Sequence, residues 1–170
     1  MDDRQHSGER DPKIAGRSGT VSRHGMIVAW RSDANTVEFS MRWPSQGWAA
    51  IGLNTRSGLT GTQLMMVSVV NGRAIVSDRH IVAAGDHRTV RSLGGSDHVR
   101  VREGRCDATG CEAVLVVERV ARDQLHHTIQ AGREYSLLIA YSAVADLTHH
   151  SLFRTEVAVR FESQSGAGGR

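Results

Sequence analysis

The sequence predicts an all-β protein, an antiparallel β-sandwich, on three observations. Apolar and polar residues alternate with a period of two in several segments, which is the pattern of half-buried strands. Asn71-Gly72 joins two apolar runs, and this dipeptide is a strong hairpin signal because both turn positions need a positive φ. No long segment has the period of a helix, and short strands separated by turn residues are typical of a sandwich.

Residues 36–43 show the alternation most clearly, because Val37, Phe39 and Met41 alternate with polar side chains. Residues 47–53 are apolar on both faces, and the segment 122–132 predicts at most a short turn. About nine strands are predicted, in chain order at 26–30, 36–43, 47–53, 63–70, 73–80, 98–103, 113–120, 134–142 and 155–161.

The chain of 170 residues suits one domain. We expect a β-sandwich domain over 23–162, a disordered leader over 1–22 and a flexible tail over 163–170, since both ends are polar and rich in Gly and Ser. The leader has no apolar core of a signal peptide, and no apolar run approaches the roughly 20 residues of a membrane helix. We therefore expect no membrane insertion by this chain.

Charge and motifs exclude several function classes. The formal net charge is +3, arginine supplies nearly all the positive charge, and acidic residues lie close to many arginines. No basic stripe is interleaved with aromatic residues, so we expect no nucleic-acid binding. The sequence has no Gly-x-Ser-x-Gly elbow, no P-loop and no His-Glu-x-x-His, and no catalytic residue is assigned. We expect a protein that is not an enzyme.

The two cysteines, Cys106 and Cys111, flank turn-forming residues in RCDATGC. A hairpin disulfide is the natural interpretation if the compartment is oxidising, and the sequence leaves their oxidation open. A zinc site is disfavoured because there is no second cysteine pair and the nearest histidine is His98. The absence of a Cys-x-x-Cys-His motif excludes covalent c-type haem attachment.

Three segments together resemble the DOMON domain family: GWAAIGLN, GLTGTQLMMVSVVNGRAIVSDRH and LLIAYSAVADLTHHSLFRTEVAVRF. The resemblance covers about 25–161. It implies an immunoglobulin-like β-sandwich of about 8–11 strands that binds a ligand. Well-known members bind b-type haem through Met and His for electron transfer, and others are thought to bind sugars or to serve as interaction modules. It also implies a periplasmic or extracellular location, with the cytoplasm as the alternative.

The resemblance places the family's late histidine on His149 or His150. Val157, Val159 and Phe161 share one face of the last predicted strand, and counting back by twos reaches His149. A β-bulge in between would select His150 instead. Both histidines are therefore candidate ligands of a haem iron.

The family's ligand methionine corresponds to Leu59 or Thr60, and neither side chain can bind iron. Met65 and Met66 follow within the next strand, where alternation directs one of them to the core. The expected outcomes are ligation by histidine with Met65 or Met66, a five-coordinate haem, or no haem. Arg154 is a candidate for a haem propionate or a sugar hydroxyl.

Four further side chains complete the sequence-based expectations. Trp48 is a candidate cofactor-binding residue and a core residue whose indole N–H needs a partner. Asp78 is expected to be a structural hydrogen-bond acceptor, and His126 and His127 to be exposed in a polar loop. The predicted function is a module that binds haem b and transfers electrons to a redox partner protein. The alternatives are a haem-free sandwich that binds carbohydrate or another small molecule, and a protein-interaction domain.

Overall fold

The computed structural model describes residues 19–162, which form two packed antiparallel sheets, as predicted. No helix in this range is long and apolar enough to cross a membrane. The described strands are β1 (Gly19–Arg23), β2 (Met26–Ser32), β3 (Thr36–Trp43), β4 (Ala49–Asn54), β5 (Gln63–Val70), β6 (Arg73–Ala83), β7 (Asp86–Thr89), β8 (Val99–Asp107), β9 (Gly110–Glu118), β10 (Glu134–Tyr141) and β11 (Phe153–Arg160).

One sheet has the strand order β1-β2-β3-β9-β8, and the other has the order β11-β10-β4-β5-β6-β7. Each strand predicted from the sequence overlaps an observed one. The hairpin between β5 and β6 turns at Asn71 and Gly72, with φ values of 52° and 71°. The turn chemistry therefore acts as predicted.

Two edge strands were not predicted. Residues Gly19–Arg23 form β1, so the last four residues of the expected leader belong to a sheet and that boundary was wrong. Strand β7 has the sequence DHRT, without an aliphatic residue, and pairs with β6. Neither segment carries a strong local signal, because an edge strand is stabilised mainly by pairing with its neighbour. Residues 1–18 and 163–170, the rest of the leader and the tail, lie outside the described residues.

Apolar side chains occupy two separate layers. The first lies between the sheets and contains Phe39, Trp43, Ile51 and Phe161. The second, here called the outer cluster, lies on the opposite face of the six-stranded sheet. Strands β4 and β5 are buried on both faces, so their alternate residues belong to different layers. The outer cluster consists of Trp48, Ala50, Leu64, Met66, Ile81, Leu138 and Ala140, with Leu59 and Leu147 packed against it.

Cys106 and Cys111 form a disulfide across the β8–β9 hairpin, with their Cα atoms 4.0 Å apart. Asp107 shapes the turn, because its Oδ1 accepts a hydrogen bond from the Thr109 N–H at 2.8 Å. The hairpin disulfide anticipated for an oxidising compartment is therefore present.

Candidate functional site

Small residues form the floor of the outer cluster. Ala50 of β4 is paired with Met66 of β5 on one side and with Ala140 of β10 on the other. Gly52 extends the floor by one pair, opposite Leu64. In the row Ala140, Ala50 and Met66, the methionine is therefore the only long side chain.

The two adjacent methionines face opposite sides of the sheet. Met65 is 0% exposed and packs between the sheets, opposite Ile51, whereas Met66 is 1% exposed and belongs to the outer cluster. The period of two along a strand separates them. Of the two, Met66 therefore lies on the same side as Leu59, which with Thr60 is one of the two positions where the resemblance places the family's methionine.

The loop of residues 142–152 covers part of the outer cluster through Leu147 and carries His149 and His150. Both imidazole side chains are exposed. The loop is closed at its base, where the Leu152 N–H donates to the Tyr141 carbonyl oxygen at 2.8 Å. Strand β11 begins only at Phe153, so the alternation of that strand does not reach either histidine and does not select one.

A short turn positions His149. The Asp146 carboxylate accepts hydrogen bonds from the backbone N–H and the hydroxyl of Thr148, at 2.9 and 2.8 Å. The bond from the backbone N–H is the main cause that lowers the pKa of Asp146. The His149 N–H donates to the Asp146 carbonyl oxygen at 3.0 Å, so the backbone of His149 is fixed by this turn, and its exposed ring lies 6.0 Å from the ring of His150.

Trp48 attaches this loop to the sheet. Its indole N–H donates to the His149 carbonyl oxygen at 3.2 Å, and its backbone N–H donates to the Val144 carbonyl oxygen at 3.0 Å. The Trp48 side chain is buried in the outer cluster. The expected partner of the indole is thus the backbone of a candidate ligand residue.

Arg154 lies at the rim of the same face. It is the partner of Ala140 across the β10–β11 ladder, and its side chain is exposed on the edge strand. Residues directly opposite each other in a ladder share a face, so Arg154 stands beside the outer cluster. Its guanidinium group is available to a negatively charged part of a ligand.

A second group of polar side chains is buried at one end of the sandwich. Asp78, His98 and His126 are each at most 5% exposed, and one donor atom of each lies within 4.8 Å of the others. The rings of His98 and His126 are stacked, with 3.6 Å between centroids and 11° between planes. In a parallel stack the in-plane lone pairs of the two rings do not converge on one point, and Nε2 of each ring is engaged in a hydrogen bond, so this arrangement is not that of two ligands of one metal ion.

The hydrogen bonds define the charge of each ring. Nδ1 of His126 lies 2.6 Å from Asp123 Oδ1, and Nε2 lies 2.7 Å from Asp78 Oδ2. Carboxylates only accept, so both nitrogens carry protons and the ring is an imidazolium. His98 is neutral, because its Nε2 accepts from the Arg122 N–H at 3.0 Å while its Nδ1 donates to the Ser96 carbonyl oxygen at 2.8 Å.

The expectation that His126 and His127 are exposed was wrong. His126 is 5% exposed, and Nε2 of His127 lies 2.8 Å from the Gly61 carbonyl oxygen. These two polar side chains can lie inside the protein because they form hydrogen bonds with other polar groups there. Asp78 is an acceptor, as expected, and takes the His98 N–H at 2.8 Å.

A family model described as the DOMON domain matches residues 22–142, which is more than half of the chain. The chain belongs to the DOMON domain family. No curated protein sequence matches it.

Solved structures share the fold of this DOMON domain. The cytochrome domain of Myriococcum thermophilum cellobiose dehydrogenase matches with a TM-score of 0.60 and 8% identity, over 91% of this chain and 79% of that chain. The cytochrome b domain of Coprinopsis cinerea pyranose dehydrogenase matches with a TM-score of 0.62 and 9% identity, over 79% and 76%. A family 9 carbohydrate-binding module from Caldicellulosiruptor kristjanssonii, solved with cellotriose, matches with a TM-score of 0.53 and 8% identity, over 94% and 89%.

At these identities the likeness shows the fold alone. All three neighbours are cytochrome or binding domains by their descriptions, rather than catalytic domains. Together with the family match, they support a ligand-binding module and leave the ligand to be argued from the residues of this DOMON domain.

The residues of the outer cluster fit a b-type haem in their chemistry. The Met66 thioether lies on the side of the sheet covered by the loop that carries two imidazoles, and Met with His is a standard electron-transfer ligand pair. The floor is apolar, with Ala50 and Ala140 beside Met66, and the Thr62 side chain packs close to Gly52. Leu59 and Leu147 pack on this floor, so a planar ligand reaches Met66 only when one of these two loop residues moves outward.

Proposed function

We propose that this DOMON domain binds a b-type haem at the outer cluster, with Met66 and either His149 or His150 as the iron ligands, and transfers electrons to a redox partner protein. The observation that carries the proposal is that Met66, and not Met65, lies on the side covered by the histidine loop. A haem bound there would supply reversible one-electron transfer.

The protein's own residues have distinct roles in this proposal. Met66 is a buried thioether, which is a soft ligand shielded from water. Trp48 holds the backbone of His149 in place, and Leu59 and Leu147 exclude solvent from the floor. Arg154 at the rim would pair with a propionate. No substrate is transformed by any of these residues, so the proposed role is not enzymatic.

Carbohydrate binding is the alternative supported by the likeness to the carbohydrate-binding module. Sugar rings commonly stack their CH faces on an exposed aromatic ring. In this chain Trp30, Trp43 and Trp48 are 4%, 0% and 5% exposed, and both tyrosines are buried. Because no Trp or Tyr ring within residues 19–162 offers such a platform, the structure favours haem over sugar.

The test is a titration of purified protein with hemin, followed by visible spectra before and after reduction with dithionite. We expect a sharp Soret band at one equivalent and narrow α and β bands on reduction, as for a low-spin six-coordinate haem. The double variant His149→Ala/His150→Ala should lose the low-spin spectrum, since it lacks both candidate imidazoles. Each single variant then identifies which imidazole binds.

The matched control is His24, an exposed histidine outside the outer cluster. Its ring stacks on Phe153, with 4.8 Å between centroids, and not on a residue of the outer cluster. The His24→Ala variant should keep the spectrum. A low-spin spectrum that survives in the double variant would contradict the ligand assignment. A broad band that is removed by gel filtration would contradict haem binding itself, and sugar-binding assays would follow.

A further inference from the structure

His126 joins the two sheets through buried charge. Asp78 belongs to β6 in the six-stranded sheet, whereas His126 and Asp123 follow β9 of the other sheet. The carboxylates of Asp78 and Asp123 contact the two ring nitrogens of His126, at 2.7 and 2.6 Å. Asp78, His126 and Asp123 are here called the inter-sheet bridge.

The bridge depends on one proton. Oδ1 of Asp78 is buried and has no hydrogen-bond partner among residues 19–162. The cation that Asp78 contacts in this part of the chain is His126. If the ring lost its second proton, either the buried Asp78 carboxylate or the partly exposed Asp123 carboxylate would face a nitrogen lone pair instead of a donor, which is unfavourable.

The stacked His98 ring is compatible with a charged His126 ring. Two stacked cations would repel each other, whereas the hydrogen bonds of His98 leave one of its ring nitrogens without a proton. His98 is held neutral because the Arg122 amide occupies its Nε2 lone pair. The pair therefore consists of one charged ring and one neutral ring.

The bridge segment also holds the loop that covers the outer cluster. The His127 N–H donates to Gln63 Oε1 at 3.1 Å, and the His127 ring contacts the Gly61 carbonyl oxygen. Gly61 in turn donates its N–H to Ile81 at 2.8 Å. Gly61 is two residues after Leu59, so a displacement of His126 and His127 reaches the loop that packs on the floor.

We infer that the inter-sheet bridge is a proton-dependent switch. It holds residues 59–62 against the sheet while His126 is an imidazolium, and it releases them when the ring is neutral. This regulation concerns access to the face of the outer cluster and goes beyond the identity of the ligand. The bridge operates in the ligand-free protein, so its failure and the failure of haem binding are distinguishable.

The direction of the pH effect follows from the surroundings of the ring. Burial opposes the charge, but the hydrogen bonds that the ring donates to Asp78 and Asp123 outweigh it and hold the pKa of His126 above its ordinary value. A raised folded pKa gives stability that is complete below the unfolded pKa of about 6.5 and is lost as the pH rises through the folded pKa. The titratable groups around the ring are Asp78 on β6, His98 before β8, Asp123 and His127 on the same segment, and His80, which contacts Leu125.

The direct test is a ¹⁵N NMR titration of the histidine rings in ligand-free protein between about pH 5 and pH 10. We expect His126 to carry protons on both nitrogens at neutral pH and to titrate above the ordinary histidine range. Urea unfolding over the same range should show the unfolding constant rising by about tenfold per pH unit between the unfolded and folded pKa values of this ring. The amide of Gly61 should lose hydrogen-exchange protection over the same interval.

Three variants separate the bridge from general loss of structure. His126→Gln should lack the alkaline rise in the unfolding constant. Asp123→Asn removes the partly exposed carboxylate, so His126 should titrate at lower pH in a protein that still folds. His87→Gln is the control: burial lowers the pKa of His87, so its contribution changes at acidic pH and the alkaline rise should remain.

The inference is overturned if His126 in the wild type titrates at or below the ordinary histidine pKa. It is also overturned if His126→Gln keeps the wild-type alkaline slope, or if protection of Gly61 does not follow the titration. Stabilisation by one equivalent of ZnCl₂ that disappears in His98→Gln would overturn it as well, because the rings would then hold a metal ion. If His126→Gln does not fold, the Asp123→Asn variant and the wild-type titration decide.

Discussion

Trp48 and His149 are joined by a hydrogen bond of 3.2 Å from the indole N–H to the backbone carbonyl oxygen, although 101 residues separate them. The bond ties the residue before β4 to the loop that carries both candidate haem ligands. It makes the position of that loop depend on a side chain of the outer cluster.

Trp48→Phe should therefore loosen the loop while leaving an aromatic ring in the outer cluster. We expect the free energy of unfolding to fall by about 1 kcal/mol, as for a lost hydrogen bond, and bound hemin to dissociate faster. Urea unfolding and transfer of hemin to apomyoglobin measure these effects. Trp43→Phe is the matched control, because it loses an indole bond to the Gly47 carbonyl oxygen on the inter-sheet side. Equal hemin dissociation in the two variants would contradict the role of Trp48.

The two methionines provide a second matched pair. Met65→Leu and Met66→Leu are volume-conserving changes of buried residues, so each should cost less than about 1.5 kcal/mol of unfolding free energy. Only Met66→Leu should convert the haem from six-coordinate to five-coordinate, because only Met66 faces the histidine loop. Visible spectra of the ferrous proteins distinguish the two states.

Leu59→Met gives a gain-of-function form of the same prediction. Leu59 packs on the outer cluster beside Met66, so a thioether placed there should restore the six-coordinate spectrum in the Met66→Leu background. If Met66→Leu alone leaves the spectrum unchanged, Met66 is not a ligand and the restoration has no meaning.

The disulfide between Cys106 and Cys111 closes a loop with a sequence separation of 5 residues. Closing so short a loop removes little entropy from the unfolded chain, and the double variant Cys106→Ser/Cys111→Ser should lose about 2 kcal/mol. Urea unfolding with and without reductant checks this value. The double variant should be insensitive to reductant, and hemin binding should be retained because the hairpin belongs to the other sheet.

Gly47→Ala should disturb the attachment of the histidine loop. A Cβ atom at this position would lie 2.1 Å from the Ser142 carbonyl oxygen and 2.5 Å from the Val144 nitrogen, both backbone atoms that cannot rotate away. We expect a loss of more than about 1 kcal/mol in unfolding free energy and weaker hemin binding. Ser45→Ala is the control, since it removes the hydroxyl that donates to the same Ser142 oxygen and accepts from the Gly47 N–H, without adding an atom at the close approach. Wild-type stability of Gly47→Ala would contradict this close approach.

Periodicity and turn chemistry predict most of this fold. The sequence shows that Met65 and Met66 face opposite sides, since alternation requires it, but not which side carries the ligand loop. That distinction depends on how β4, β5 and β10 pair, which is a property of the whole sheet. Strands β1 and β7 were missed because their residues carry little apolar pattern of their own.

The burial of His126 and His127 could not be predicted from the sequence for a different reason. His126 is held by Asp78, which is 48 residues earlier in the chain, so no local window contains both groups. A short polar loop with two histidines is normally exposed, and nothing near His126 in the sequence indicates otherwise. Long-range pairing of polar groups is the part of this fold that local patterns do not predict.

Neighbouring positions of β4 belong to different layers of the protein, so substitutions at them have different effects. Ile51 and Leu53 fill the layer between the sheets, so substitutions there act on stability. Ala50 and Gly52 face the other side, where the haem site is proposed, so substitutions there change the proposed site while the inter-sheet layer stays intact. Alternate positions of a single strand therefore separate changes in stability from changes in the surface offered to a ligand.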